Sequence, residues 1–183
     1  MTNEASLNTI IANSFSQLPL NRAIKISDPR GGIGIQNPFD HFGVYNGKPL
    51  YSESKILKKL ESFAFSKIED HQYENLSFFS KALSDKCYTL IFLGIYVPHK
   101  MKILMTFDFD FLYEQKLTGK KSFFKKELDA WIEKGMFLDI NYKNIEGENG
   151  KMTRKEIISS LEELDSKIIR GFNDDRTDTR SKI

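Results

Sequence analysis

The chain has 183 residues, 40% of them hydrophobic and 13% aromatic, including 15 Phe. That composition excludes general disorder and suits one domain with a packed core. Lys and Arg number 27 against 25 Asp and Glu, and a formal charge of +2 is too mild to signal nucleic-acid binding by itself. Cys87 is the single cysteine, which excludes a disulfide framework and a thiolate zinc site and fits a reducing cytoplasm. The apolar run from Cys87 to Val97 is 11 residues, too short to span a membrane. Met1-Thr2-Asn3-Glu4 lacks the basic and apolar regions of a signal peptide.

Leu7, Ile10, Ile11, Phe15 and Leu18 recur at helical spacing and predict an opening amphipathic helix, capped by Asn3 or Thr2 and stopped before Pro19. A short strand over Arg22 to Ile26 leads to a Gly-rich loop through Pro29 and Gly34. Phe39 to Tyr45 and Pro49 to Lys55 alternate aromatic and polar residues around Asn46-Gly47, and so predict a two-residue hairpin with one buried face. A second helix begins at Ser66 or Asp70, presents Ile68, Leu76, Phe79 and Leu83, and ends near Asp85. Cys87 to Val97 reads as a central strand buried on both faces. Met101 to Phe107 is its expected neighbour, reached through a turn at Pro98-His99-Lys100. Asp108 to Lys116 suggests a short helix. Ser122 is the expected cap of another, with Leu128, Trp131 and Ile132 inward and Gly135 as its stop. Phe137 to Tyr142 is expected as an edge strand, and Thr153 to Ile169 as a final helix opened by a Thr153/Glu156 capping box. The charged tail, 173–183, is expected to be disordered. This order predicts an α/β fold, a mixed sheet flanked by helices, in one domain over 1–172.

The chemistry gathers on the hairpin. Asp40 lies six residues before Asn46, and Glu53 lies six after Gly47, so the tight turn sets the two carboxylates opposite each other. Residues i and i+2 of a strand share a face, so Lys55 projects with Glu53 while Ser54 turns inward. Two close carboxylates repel unless a cation sits between them, and oxygen ligands favour Mg²⁺ or Mn²⁺. Lys55 would then orient or deprotonate a water, or steady negative charge on a phosphoryl group. Glu-x-Lys alone is also a common, weak surface pair; the registered Asp40 is what sharpens it.

Asp40 followed thirteen positions later by Glu53-Ser54-Lys55 resembles the Asp…Glu-x-Lys signature of the restriction-endonuclease-like nuclease superfamily. The segment Asp40-His41-Phe42-Gly43-Val44-Tyr45-Asn46-Gly47-Lys48 is similar to that of the RecU-type Holliday junction resolvases of Gram-positive bacteria and their mollicute relatives. Lys58-Lys59, Ser62-Phe63, His71-Gln72 and the run Lys121 to Leu128 continue the resemblance. It implies an α-β-β-β-α-β core and a magnesium-dependent, structure-selective endonuclease that resolves Holliday junctions in recombination and repair. Manganese would substitute for magnesium. Asp40 and Glu53 would ligate the metal and Lys55 would be the catalytic lysine. Glu4 on the first helix would match the superfamily's helix acid, and Gln72 would buttress the metal site. Lys58, Lys59, Lys120, Lys121, Lys125 and Lys126 would form a phosphate-contacting rim on branched DNA.

The family also implies a homodimer, with recombinase or branch-migration proteins as further partners. Phe107, Phe109, Phe111, Phe123 and Phe124 are candidates for that interface or for the core. The chain departs from the family in its shortened stalk loop near 27–37 and in Asn37-Pro38-Phe39 before the Asp, which bears on preference for four-way junctions. Two other readings compete. One is a restriction or repair endonuclease on the same fold; the other is an inactive DNA-binding modulator of recombination.

Overall fold

The computed structural model describes residues 3–26, 37–97, 101–146 and 150–171. The expected stalk loop, apart from Asn37, the Pro98–Lys100 turn and the tail fall outside the described residues. Helix α1 (Glu4–Phe15) is capped by Asn3, whose Oδ1 accepts the Ser6 amide, and it buries Leu7, Ile10, Ile11 and Phe15. Strands β1 (Arg22–Lys25), β2 (His41–Tyr45) and β3 (Lys48–Leu57) form an antiparallel meander. Asn46 and Gly47 have φ of 48° and 74°, both in the left-handed region that a two-residue turn matched to strand twist requires.

A short β4 (Phe63–Ala64) precedes α2 (Asp70–Leu83), which carries the chain back so that β5 (Tyr88–Val97) lies parallel to β3. Next come β6 (Met101–Asp108), α3 (Phe109–Leu117), β7 (Ser122–Phe123), α4 (Lys125–Glu133), β8 (Leu138–Glu146), β9 (Met152–Ile158), α5 (Leu164–Lys167) and β10 (Ile168–Ile169). The main sheet runs β1-β2-β3-β5-β6-β8-β9, with β10 joined to β6, while β4 and β7 pair separately. This is the expected mixed sheet flanked by helices, and the chain opens in the expected α-β-β-β-α-β order apart from the short β4 before α2.

Each sheet face carries its own core. On one, Ile91, Leu93, Met105 and Phe107 pack with Tyr73 and Leu76 of α2, Phe109 and Leu112 of α3, and Leu128 and Trp131 of α4. On the other, Leu50, Leu90, Phe92 and Leu104 pack with α1 and with Leu161 and Leu164. Of the five Phe considered for an interface, Phe107, Phe109, Phe111 and Phe123 are core residues and only Phe124 is exposed. Phe123 lies 5.0 Å from Phe107 and 5.1 Å from Trp131 between ring centres, contacts that add to their burial.

Four sequence expectations are corrected. The 153–169 segment is not one helix: it forms β9, a turn with Ser160 at φ 52°, then α5 and β10. Ile158, Leu161, Leu164 and Ile168 share one core across that turn, and β8 presents a row of backbone groups that β9 satisfies over seven pairs. For the same reason β8 is internal rather than an edge strand. Ser122 pairs with Ala64 in the small sheet, and α4 starts later, where Glu127 reaches back to the Phe124 amide. Finally, β3 is buried on both faces from Tyr51 to Lys55, so the hairpin's second strand is central rather than half exposed.

Candidate active site

β2 begins at His41, but β3 continues to Leu57, so beyond Ser52 the meander side of β3 has no strand beside it among the described residues. Asp40 stands where the ladder ends. Its N–H donates to Ser52 O at 3.0 Å and its carbonyl accepts the Ile26 N–H at 2.8 Å. Its Oδ2 accepts the Ser54 N–H at 3.0 Å, the amide the missing strand would otherwise leave bare. Since His41 pairs with Ser52, the register extends to Asp40 opposite Glu53, as the turn count requires.

Glu53 and Lys55 lie on the β3 face that packs toward α2, and they are only 1% and 5% exposed. Lys55 Nζ donates to Glu53 Oε1 at 2.7 Å. Glu53 Oε2 is buried with no hydrogen-bond donor among the described residues. Burial first, and then the Asp40 carboxylate, push the Glu53 carboxyl up to about 8 despite Lys55. Burial works against the Lys55 ammonium, but Glu53, Glu4 and Asp40 together outweigh it and raise its pKa, so Lys55 stays protonated. Glu4, in the first turn of α1, reaches through the open side of β3 to put Oε2 3.9 Å from Lys55 Nζ. Its own pKa is raised, by burial and then by Asp40, with Lys55 opposing.

Asp40, Glu53 and Glu4 thus face a single ammonium, a formal charge of −2 with every group ionised. A divalent cation fits this arrangement: the donors are hard oxygens, the charge is opposite and equal, and one buried carboxylate oxygen has no partner. Among the described residues no group of three or more His, Cys, Asp or Glu side chains is placed to hold a metal ion by itself. Magnesium does not need one, since it keeps several waters and is often held by one or two carboxylates plus substrate phosphates.

The other expected site residues divide. Gln72 is not turned to the carboxylates: its Oε1 accepts the Glu69 N–H at 2.9 Å in the capping box that opens α2. His71 is likewise engaged, Nε2 with Asn37 O at 3.1 Å and Nδ1 with Glu69 Oε2 at 3.3 Å. Lys59 pairs with Glu61, Lys120 with Glu127 and Lys125 with Asp129. Lys58, Lys121 and Lys126 are exposed and, among the described residues, have no carboxylate partner.

Sequence reasoning passed over His41. It is fully buried on the opposite face from Asp40; Nε2 donates to Asn8 O of α1 at 3.2 Å, leaving Nδ1 to accept from Ser52 Oγ at 3.4 Å. Burial lowers its pKa, and the neutral ring ties α1, and with it Glu4, to the strand that bears Asp40. The signal was alternation: a residue next to an active-face Asp must face the helix behind.

No protein-family model matches the chain, and no curated protein matches it. Among solved structures it is similar to Hjc of Archaeoglobus fulgidus, a Holliday junction resolvase from an archaeal hyperthermophile. The TM-score is 0.37 and the identity 12%, over 61% of this chain and 75% of that one. A likeness at that level carries no argument about what this chain does.

Proposed function

We propose that this chain is a magnesium-dependent, structure-selective DNA endonuclease that resolves four-way junctions in recombination and repair, with manganese able to replace magnesium. The observation that carries this reading is the convergence of Asp40, Glu53 and Lys55, with a buried Glu53 oxygen left unpartnered. Asp40 and Glu53 would hold the metal, and Glu4 would add charge from α1. Bound there, the cation would supply polarisation of the scissile phosphoryl group and a water of lowered pKa.

The chain's own groups have separable tasks. The Ser54 amide pins Asp40 Oδ2 and so orients that carboxylate. Burial of Glu53 keeps competing water away from its free oxygen. Lys55, held at 2.7 Å from Glu53 Oε1, supplies a positive charge beside the carboxylates. There it would steady the negative charge that a phosphoryl group gains, in a site of low dielectric. The intact trio of Asp40, Glu53 and Lys55 speaks against an inactive DNA-binding modulator.

A junction has two-fold symmetry, which a homodimer with two such sites would match. The buried Phe cluster cannot serve that contact. Ile24 and Phe42, paired across β1 and β2, are about half exposed with Val44 and Phe78 and supply an apolar surface for it. The test is Glu53→Ala or Asp40→Ala. Each should abolish nicking of a synthetic four-way junction in magnesium while junction binding in calcium persists; undiminished nicking would sink the assignment.

A further inference from the structure

β8 and β9 pair from Ile140↔Ile158 to Glu146↔Met152, yet only the base of this ribbon joins the core. Leu138, Ile140, Ile157 and Ile158 are buried, whereas Asn141 to Asn144, Glu146, and Lys151 to Lys155 are exposed. β6 pairs with β8 only through Ile103↔Asp139 and Leu104↔Leu138, so the ribbon runs on past the sheet. It leaves from the end toward which β3 points, since Leu57 pairs with Ile95, Ile95 with Ile103, and Ile103 with Asp139. By strand alternation, Lys143 and Lys155 share the face that bears Glu53 and Lys55. Strand spacing and rise put Lys143 about 25 Å from Lys55.

Cations are concentrated here at a cost. Lys143 pairs directly with Lys155, and like charges opposite each other destabilise a strand pair. Neither has a carboxylate partner among the described residues. On the other face, Arg154 stands 4.6 Å and Lys102 4.9 Å from the centre of the same Tyr142 ring. Of the nearby acids, Glu156 is held by Lys102 at 2.6 Å, Glu146 ends β8, and Glu148 falls between the strands in sequence. The exposed large apolar groups are Tyr142, already under two cations, and Met152. That is too little for a hydrophobic protein interface. A polyanion resolves the repulsion, and a two-stranded ribbon fits a DNA major groove.

We propose that the β8–β9 ribbon is a second DNA-contacting element, in which Lys143, Lys155 and Arg154 grip duplex phosphates away from the scissile bond. This rests on the nuclease reading above and extends it to how the substrate is held. The separation from Lys55 corresponds to about seven base pairs.

The test uses the full chain and a fluorescent synthetic four-way junction in calcium, followed by anisotropy across a salt series. Lys155→Glu replaces a repelling pair by an attracting one, so the melting temperature should hold or rise while junction affinity falls about tenfold. The salt dependence of log K should fall by about one for each lysine lost, and so by about two for Lys143→Gln with Lys155→Gln. Unchanged affinity and salt dependence in both variants would overturn the ribbon's role, as would absence of binding by the unaltered chain. The nuclease reading fails on a separate signal, the absence of magnesium-dependent cleavage by the unaltered chain.

Discussion

Replacing Asp40 by Asn should make the metal-free protein more stable at alkaline pH while removing its activity. Glu53 carries a folded pKa of about 8 against an ordinary 4.5, raised by burial and then by Asp40. A group raised in the folded state favours folding fully below its unfolded value and loses that contribution as pH climbs through the folded one. For Glu53 the window runs from about 4.5 to about 8, and the full cost is on the order of 5 kcal/mol at 1.36 kcal/mol per unit. Asp40 is the second cause, so Asp40→Asn should recover about 1–2 kcal/mol of it. The amide oxygen of Asn still accepts the Ser54 N–H, so the end of the ladder is kept. Urea unfolding in EDTA at pH 5, 7 and 9 is the assay. The two proteins should be closely matched at pH 5, and the variant should be ahead at pH 9. A variant that loses as much stability as the parent between those pH values would refute repulsion between Asp40 and Glu53. Adding magnesium or manganese at pH 8 should raise the parent's melting temperature and leave the variant's nearly unmoved.

Gly43→Ala should cost about 3 kcal/mol or more in urea unfolding. A Cβ there would sit 1.9 Å from Arg22 O, against backbone that cannot yield without parting β1 from β2. Ser14→Ala should cost about 1–3 kcal/mol, because Ser14 Oγ accepts the buried Ile158 N–H at 2.8 Å and so ties α1 to β9 alongside their apolar packing. Phe42→Asp should shift the protein toward monomer in sedimentation analysis if the β1–β2 surface joins two copies; an unchanged oligomeric state would exclude that surface.

What could be read in the chain beforehand was local. Asn46-Gly47 sets the hairpin register, so the Asp40–Glu53 pairing followed from counting alone, and Lys55 followed from strand alternation. The almost wholly apolar run ending at Val97 announced its central place. What could not be read depended on distant neighbours. The 152–158 segment is a strand because β8 has an edge to fill, a fact set by pairing with β6 far upstream. Gln72 suits both a buttress to the metal site and a helix-capping amide, and the fold places it in a capping box with Glu69. Glu4 entered through family likeness; nothing nearby in sequence reveals that β3 is left open just where α1's first turn reaches Lys55. The depth at which Glu53 lies was hidden for the same reason, since burial of both faces of β3 needs α1 and α2 together.

The most direct test of the nuclease assignment is cleavage by the purified, unaltered chain of a four-way junction, a three-way junction and a linear duplex, with and without magnesium. Magnesium-dependent nicking of the four-way junction in preference to the other two is the expected result. Failure to cut any of the three in magnesium or manganese would contradict it.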